Sequence, residues 1–382
     1  VAIWGSTWWL LAQTHELHGV DEAQARMEAI KTGLSVGAGT GGAVALLLAL
    51  RRQWLNERDL AHREAVDQRT QVHADRVAAA TEHDAAERRI TDLYVKAVDQ
   101  LGGAQAAVRL GGLYALKRLG QNNPDHRQTV IDVICAYLRM PYTPPAQPPV
   151  PGDSEQDHRR EELQVRQTAQ RILANHLRDE TYMGQRADGS VPETFWPGID
   201  LLDLTGAHLV DFHLTGCRIR TIQFHDAIFT GETSFRGTIC DLAFFQGATF
   251  SHHTDFRGAT FTNSAWFSFS TFDAEVWFHA DEHFPGTCFG RHVSFQGVTF
   301  AEGARFNQAT FSGSIDFNEA HYTRGAETVR LEGARVQDPS AVSPEINAAA
   351  SSWPPGWVVE PGTDGTGTPA WSAAPPQNLV GS

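Results

Sequence analysis

The chain has 382 residues, enough for two or three domains, and 41% hydrophobic residues, ordinary for a globular protein. Its formal net charge of -14 argues against general nucleic-acid affinity through phosphate neutralisation, although solubility alone also favours acidity. The four cysteines, Cys135, Cys217, Cys240 and Cys288, form no C-x-x-C pair and match neither a zinc site nor a disulfide framework, which fits a reducing compartment.

The N-terminal stretch reads as membrane. Residues 32–50 (TGLSVGAGTGGAVALLLAL) carry no charge and as a helix would cover roughly 28 Å, close to a bilayer's hydrocarbon thickness. Arg51, Arg52 and Arg58 follow, so the positive-inside rule places everything after Arg52 in the cytoplasm, with the protein in the cell membrane. Gly33, Gly37 and Gly41 lie four apart and would put small residues on one helix face for close packing. VAIWGSTWWLLA, at the start, is too short to span and reads as the back half of a first membrane helix, joined by a polar external connection. Residues 1–52 are therefore expected to form a membrane hairpin with a truncated first helix. GAGTGG lacks the Lys-Ser/Thr and the preceding strand of a phosphate loop.

Residues 53–92 are Ala-rich and charged, with Leu55, Val66 and Val77 eleven apart. This predicts an exposed helical stalk with a thin apolar stripe, compatible with a weak coiled coil and a homo-oligomer. A helical domain is expected over 93–185. Ile90, Leu93, Tyr94, Ala97, Val98 and Leu101 have helical spacing, and Gly102-Gly103 ends that helix. VRLGGLYALKRL, similar to HEAT-type helical repeats, makes the next helix; Asn123-Pro124 opens another. A Pro-rich insertion at 141–152 precedes a fourth helix with Val165, Ala169, Ile172, Leu173 and Leu177 on one face. Helix packing is the preferred reading of this region over a binding surface.

From about residue 195 to 336 the period changes. Large apolar residues recur every five or six positions, from Leu204, Leu209 and Leu214 into a phenylalanine series: Phe245, Phe250, Phe256, Phe261, Phe267, Phe272, Phe278, Phe289, Phe295, Phe300, Phe306, Phe311 and Phe317. A small or β-branched residue stands two before nearly every one, and residues two apart on an extended chain point the same way. Each unit thus sends one small and one large side chain inward. Four units per coil would stack residues about 20–22 apart into columns: 245, 267, 289 and 311; 250, 272, 295 and 317; 256, 278, 300 and 322; 261, 284 and 306. Glu282 breaks the pattern where a small residue belongs, and a buried unpaired carboxylate is costly, so DEHFPG should bulge outward. Leu331 and Val336 look like one more partial coil. The tail, 337–382, rich in Pro, Gly, Ser and Ala, is expected to be disordered.

The segments DLTGAHL and RGATF match the unit A-(D/N)-L-x-x, and residues 200–336 resemble the pentapeptide-repeat family. That resemblance implies a right-handed quadrilateral β-helix; the sixth residue on alternate sides departs from the strict unit and suggests wider corners. With the membrane segment, the plan looks bacterial and actinomycete-like. The expected fold is multi-domain: a transmembrane and helical all-α region, then the pentapeptide-repeat solenoid.

No catalytic constellation is evident. His279 and His283 in HADEH lack the helical face and the Glu position of a zinc-protease motif. The expectation is no catalysis, no cofactor and no metal. Two functions remain: a membrane-anchored cytoplasmic scaffold with an unidentified protein partner at the inner membrane face, or a modulator of DNA gyrase that mimics DNA, as some family members do. The repeat region holds sixteen acids and nine arginines. Arg218, Arg220, Arg236, Arg257, Arg291 and Arg305 are expected to interrupt any acidic line, which favours the scaffold, with no direct nucleic-acid binding.

Overall fold

The computed structural model describes residues 8, 9, 12, 20–146, 153–179, 194–337, 352–361 and 366–371. Helix α1 runs over Val20–Leu101, so residues 20–31, expected in a polar connection, are helical. Residues 1–88 form one compact unit and 89–382 a second. Among the described residues no helix is long and apolar enough to cross a membrane. The described apolar run is short, Ala45–Leu50, and ends at Arg51 and Arg52. The side chains of 32–44, with Gly33, Gly37 and Gly41, and most of 1–19 lie outside the described residues.

The second unit opens with the end of α1, whose Ala97 and Leu101 are buried, followed by α2 (Ala106–Asn122), α3 (Arg127–Arg139) and α4 (Ser154–Leu177). The Pro-rich segment ends at Asp153, which caps α4 by accepting from the N–H groups of Glu155 (3.0 Å) and Gln156 (3.2 Å). Arg166 of α4 is buried. It donates to the Leu138 and Met140 carbonyls (2.9 and 2.7 Å), stacks on Tyr142 (4.4 Å) and pairs with Glu162 (3.0 Å), fixing the end of α3.

From Leu201 the chain winds into a parallel β-solenoid with four faces. Face one comprises 201–203, 221–223, 242–244, 264–266, 292–294 and 314–316. Face two holds His208–Val210 and its five stacked successors through His321–Tyr322. Face three runs from Thr233–Ser234 to Val329–Arg330. Face four starts at Arg218 and ends at Val336. The inward residues form one core in which all thirteen phenylalanines of the ladder are buried. Along the axis the rings lie parallel: Phe224–Phe245 at 5.3 Å, Phe229–Phe250 at 4.6 Å, Phe235–Phe256 at 4.8 Å and Phe245–Phe267 at 4.8 Å. Each stacked pair adds about 0.5–1.5 kcal/mol beyond burial.

The columns depart from expectation at the fourth coil. Pairing steps are 20 to 22 residues (Leu201↔Thr221, Ile228↔Thr249, Thr249↔Thr271), but Thr271 pairs with Thr299, a step of 28. Phe267 therefore stacks on Phe295, Phe272 on Phe300, Phe278 on Phe306 and Phe261 on Phe289. Phe284 leaves the core because DEHFPG loops outward, with the Glu282 side chain 86% exposed. A phenylalanine preceded by Glu at the small position cannot enter the column without burying that carboxylate.

Both ends are covered. At the first coil, Gln128 of α3 accepts from the Asp200 and Leu201 N–H groups (3.0 and 3.4 Å) and donates to the Leu201 carbonyl (2.8 Å). Gln170 of α4 likewise accepts from the Val210 N–H (3.3 Å) and donates to its carbonyl (2.8 Å). These amides take the place of a neighbouring strand and satisfy an edge otherwise open to pairing. At the other end, part of the tail expected to be disordered is ordered. Strands Trp357–Pro361 and Thr366–Trp371 pair antiparallel, and the latter adds to face four opposite Val336. Ser352 bridges to Asp316, Trp353 packs edge-on against Phe311 (5.8 Å), and Trp357 is buried.

Two measurements check this architecture. Phe295→Ala should cost about 3–5 kcal/mol in denaturant unfolding, while Gln296→Ala on the outer side should change stability by less than about 0.5 kcal/mol; equal losses would refute the register. Gln170→Ala should cost about 1–3 kcal/mol by stranding the Val210 backbone groups. Hydrogen exchange should then quicken at Val210 while the Phe250 amide, inside the stack, stays protected.

Candidate functional site on the third face

Outward side chains on face three share a register column: Ser234, Asp255, Trp277, Arg305 and Arg330. Asp255 is only 4% exposed, although its position points outward, because two arginines close over it. Arg257 donates to it from Nε (3.0 and 3.1 Å), Nη2 (2.7 Å) and its own backbone N–H (2.9 Å); Arg236 donates from Nε (2.9 Å) and also from Nη2. Burial alone would raise the Asp255 pKa, but the hydrogen bonds from Arg257 and Arg236 outweigh it and hold the carboxyl below the ordinary carboxylate value.

Trp277 sits one coil on. The Arg257 guanidinium lies 4.5 Å and that of Arg305 5.9 Å from its ring centroid, and the His253 ring meets it edge-on at 3.9 Å. Glu275 accepts from Trp277 Nε1 (2.8 Å) and Arg305 Nε (2.6 Å). The extra loop of the fourth coil is pinned to this network. Asp281 accepts from Arg257 Nη1 (2.5 Å) and from the N–H groups of His283 (2.8 Å) and Phe284 (2.7 Å). The expelled Phe284 lies under the Arg236 guanidinium at 5.2 Å. A Cβ built on Gly258, at φ +69°, would sit 2.9 Å from the Phe284 ring, so the loop needs glycine there. Beyond Trp277 the face opens into a groove of about 530 Å³ lined by Glu275, Glu302, Arg305, Asn307, Thr328, Arg330 and Glu332.

This face presents a groove of mixed charge beside a closed ion-pair network. Among the described residues no group of His, Cys, Asp and Glu could hold a metal. Burial raises the thiol pKa of all four cysteines, so none is poised as a nucleophile. His279 is half-buried with its pKa lowered, first by desolvation and then by Arg257 and Arg305, whereas His283 is exposed beside Glu282 (3.5 Å). The phenylalanine ladder lies inside the solenoid and supports this face without reaching it. Sequence reasoning missed Asp255 and Trp277, named Arg257 only as a break in an acidic line, and placed Phe284 in a core column that it leaves. The signal was present in HTDFRG: Asp and Arg two apart project to the same outward side.

The fold class is thus a four-faced parallel β-solenoid of six coils behind a helical cap. Within it, residues 214–260 match the family model described as Pentapeptide repeats (9 copies). That match concerns the repeat and carries nothing on a membrane segment or a bacterial source. Neither curated proteins nor solved structures yield a match to the chain.

The Asp255 network has a pH signature. A carboxyl held low in the folded state stabilises above its unfolded value of about 3.9, and that stability is lost as pH falls through the folded pKa. Asp255→Asn should cost about 1.5–3 kcal/mol at neutral pH. The difference from the unaltered chain should shrink as denaturant titrations move below about pH 4. A constant difference down to the acid limit would refute the ionic account.

Proposed function

We propose that the chain is a non-catalytic protein-interaction scaffold whose solenoid sides present recognition surfaces, held at the inner face of the cell membrane by the apolar stretch around residues 32–50. The observation that carries the scaffold reading is the solenoid itself. Both ends are covered and the core is self-sufficient, so the outward side chains of the faces are free to vary for a partner. The anchoring part is supported by Leu46, Leu47, Leu48 and Leu50, 54–66% exposed on α1, and by Trp54 beyond Arg51 and Arg52. Consecutive exposed leucines on every side of a helix suit lipid, and Trp with Arg suits the interface.

The alternative, a DNA mimic acting on gyrase, has less support. The outward acids follow no regular line, and arginines stand beside many of them: Arg236, Arg257, Arg305 and Arg330 on face three pair with Asp255, Asp281, Glu275 and Glu332. A supercoiling assay with the purified chain at micromolar concentration should show no inhibition. For the anchored scaffold, the expected result is recovery of the full chain in the membrane fraction, resistant to high-salt extraction, with a reporter fused at residue 100 read as cytoplasmic. Recovery in the soluble fraction, or a reporter read as external, would sink the anchoring.

A further inference from the structure

Faces one and two meet at a corner that every coil turns with a residue in the left-handed region: Gly206, Asp226, Gly247, Phe269, Gly297 and Glu319. Phe269 is the outlier. At φ +60° its Cβ crowds the neighbouring carbonyl, a conformation that favours Gly, Asn and Asp; Glu319 and Gln308 also adopt it here, but Phe269 is the one aromatic residue to do so among the described residues. The side chain gains little burial in return, being 61% exposed. It lies against the next corner, where a Cβ on Gly297 would come within 2.6 Å of it. A strained bulky residue kept on the surface points to a use for the ring itself.

Its surroundings give that use a chemistry. On face one, Trp266 and Phe244 stack at 4.6 Å and are half-buried. On face two, Ile228 is 40% exposed. Faces one and two and their shared corner contain no Lys or Arg; the nine arginines of the repeat region lie on faces three and four or at the corners bounding them. Of the acids here, Asp203 pairs with Arg139 at the first coil and Asp316 accepts from Ser352 Oγ (2.8 Å) and the Asn318 N–H (2.9 Å), whereas Asp226 and Glu319, at the shared corner, form no ion pair among the described residues, unlike Asp255 or Glu275 on face three.

We propose that this corner docks a basic polypeptide segment bearing apolar side chains, with Phe269 and Trp266 receiving the apolar groups and the unpaired acids receiving Lys or Arg. This rests on the scaffold reading and names its partner class. Charge complementarity selects the occupant. Nucleic acid and anionic lipid would meet uncompensated carboxylates. A second copy placed by a two-fold axis would set those same carboxylates against each other. Exposed aromatics ringed by polar groups are the usual anchors of a protein interface.

The test uses the purified full chain and fluorescence anisotropy with three short labelled peptides: one alternating Arg and Leu, one with Glu replacing Arg, one with Ser replacing Leu. The Arg–Leu peptide should bind, and the other two should bind at least about tenfold more weakly, as expected when both charge and anchor contribute. Phe269→Asn, which suits the left-handed corner and leaves the charge unchanged, should keep or raise the thermal midpoint while weakening the Arg–Leu peptide by about tenfold or more. Trp266→Ala should weaken it similarly. A lowered midpoint in Phe269→Asn would make the ring a packing element and overturn the proposal. So would binding indifferent to both variants, equal binding of the Glu peptide, or self-association that Phe269→Asn abolishes. Binding lost on Trp277→Ala but not on Phe269→Asn would move the site to face three, overturning this inference while leaving the scaffold reading intact. Failure of every peptide would overturn this inference alone, whereas failure of the membrane-fraction and reporter assays would fall on the anchoring.

Discussion

The coincidence of two distances governs this molecule. Parallel strands hydrogen-bond at a separation of about 4.8 Å, and aromatic rings stack favourably from about 4.5 Å upward. A phenylalanine repeated once per coil at the same place in a face satisfies both conditions at once. The stacked centroids, 4.5 Å for Phe278–Phe306 and 4.6 Å for Phe250–Phe272, sit at that shared spacing. Rings in adjacent columns then meet edge to face, as Phe245 and Phe256 do at an interplanar angle of 86°. Most inward positions therefore alternate small and large; at the first coil the order inverts, with Phe212 buried at the small position before Leu214 and packed against Phe224, Phe229 and Phe235. Where the coil lengthens by its extra loop, two columns loosen, Phe261–Phe289 to 5.5 Å and Phe272–Phe300 to 5.6 Å, while the other two hold.

A ladder of this kind is open at both ends, and an open parallel edge recruits further strands. The two ends are closed by different chemistry. At the first coil helices approach with glutamine amides, which present donor and acceptor together as a peptide group does, so a helix that cannot pair with a strand still satisfies one. At the last coil an antiparallel strand pair and two tryptophans supply backbone and apolar cover together. With the ends closed, any partner of the proposed scaffold would meet its sides.

How far the sequence can be read follows from which positions are geometrically forced. The inward series was legible because a small or β-branched residue precedes nearly every large one until Glu282, and Glu282 itself marked the bulge. The columns beyond it were not legible by counting. Phe284 keeps the five-or-six spacing while standing outside the core, and only the pairing of Thr271 with Thr299 shows that 28 residues separate these rungs. Every outward grouping inherits that ambiguity, so Trp277 could not be set beside Arg305 from spacing alone. The arginines were expected to interrupt any acidic line; coil geometry instead keeps them off faces one and two and their shared corner, on faces three and four and the corners bounding them. The tail was judged by Pro, Gly and Ser content, yet WPPGW carries two large apolar groups that a disordered segment does not need. The apolar stretch at 32–50 remains a matter of composition.

The two surfaces of the solenoid illustrate what a self-sufficient core permits. On face three the outward residues are bound to one another: Arg236 and Arg257 enclose Asp255, Trp277 lies between guanidinium groups, and Asp281 ties down the extra loop. That network absorbs the irregularity of the fourth coil and lets the fifth resume a step of 22, as Thr299 pairs with His321. The same coil presents Phe269 and Trp266 at the opposite corner. One coil therefore carries the insertion, the ion-pair network that contains it and the exposed aromatics. The strain at Phe269 is tolerable there because the inward neighbours Phe267 and Ser270 are fully held, Phe267 by its stack and Ser270 by a 2.7 Å hydrogen bond from its hydroxyl to the Phe267 carbonyl. A corner fixed from the inside can hold an unfavourable residue outward, and it offers a partner a ring whose position has already been settled by the core.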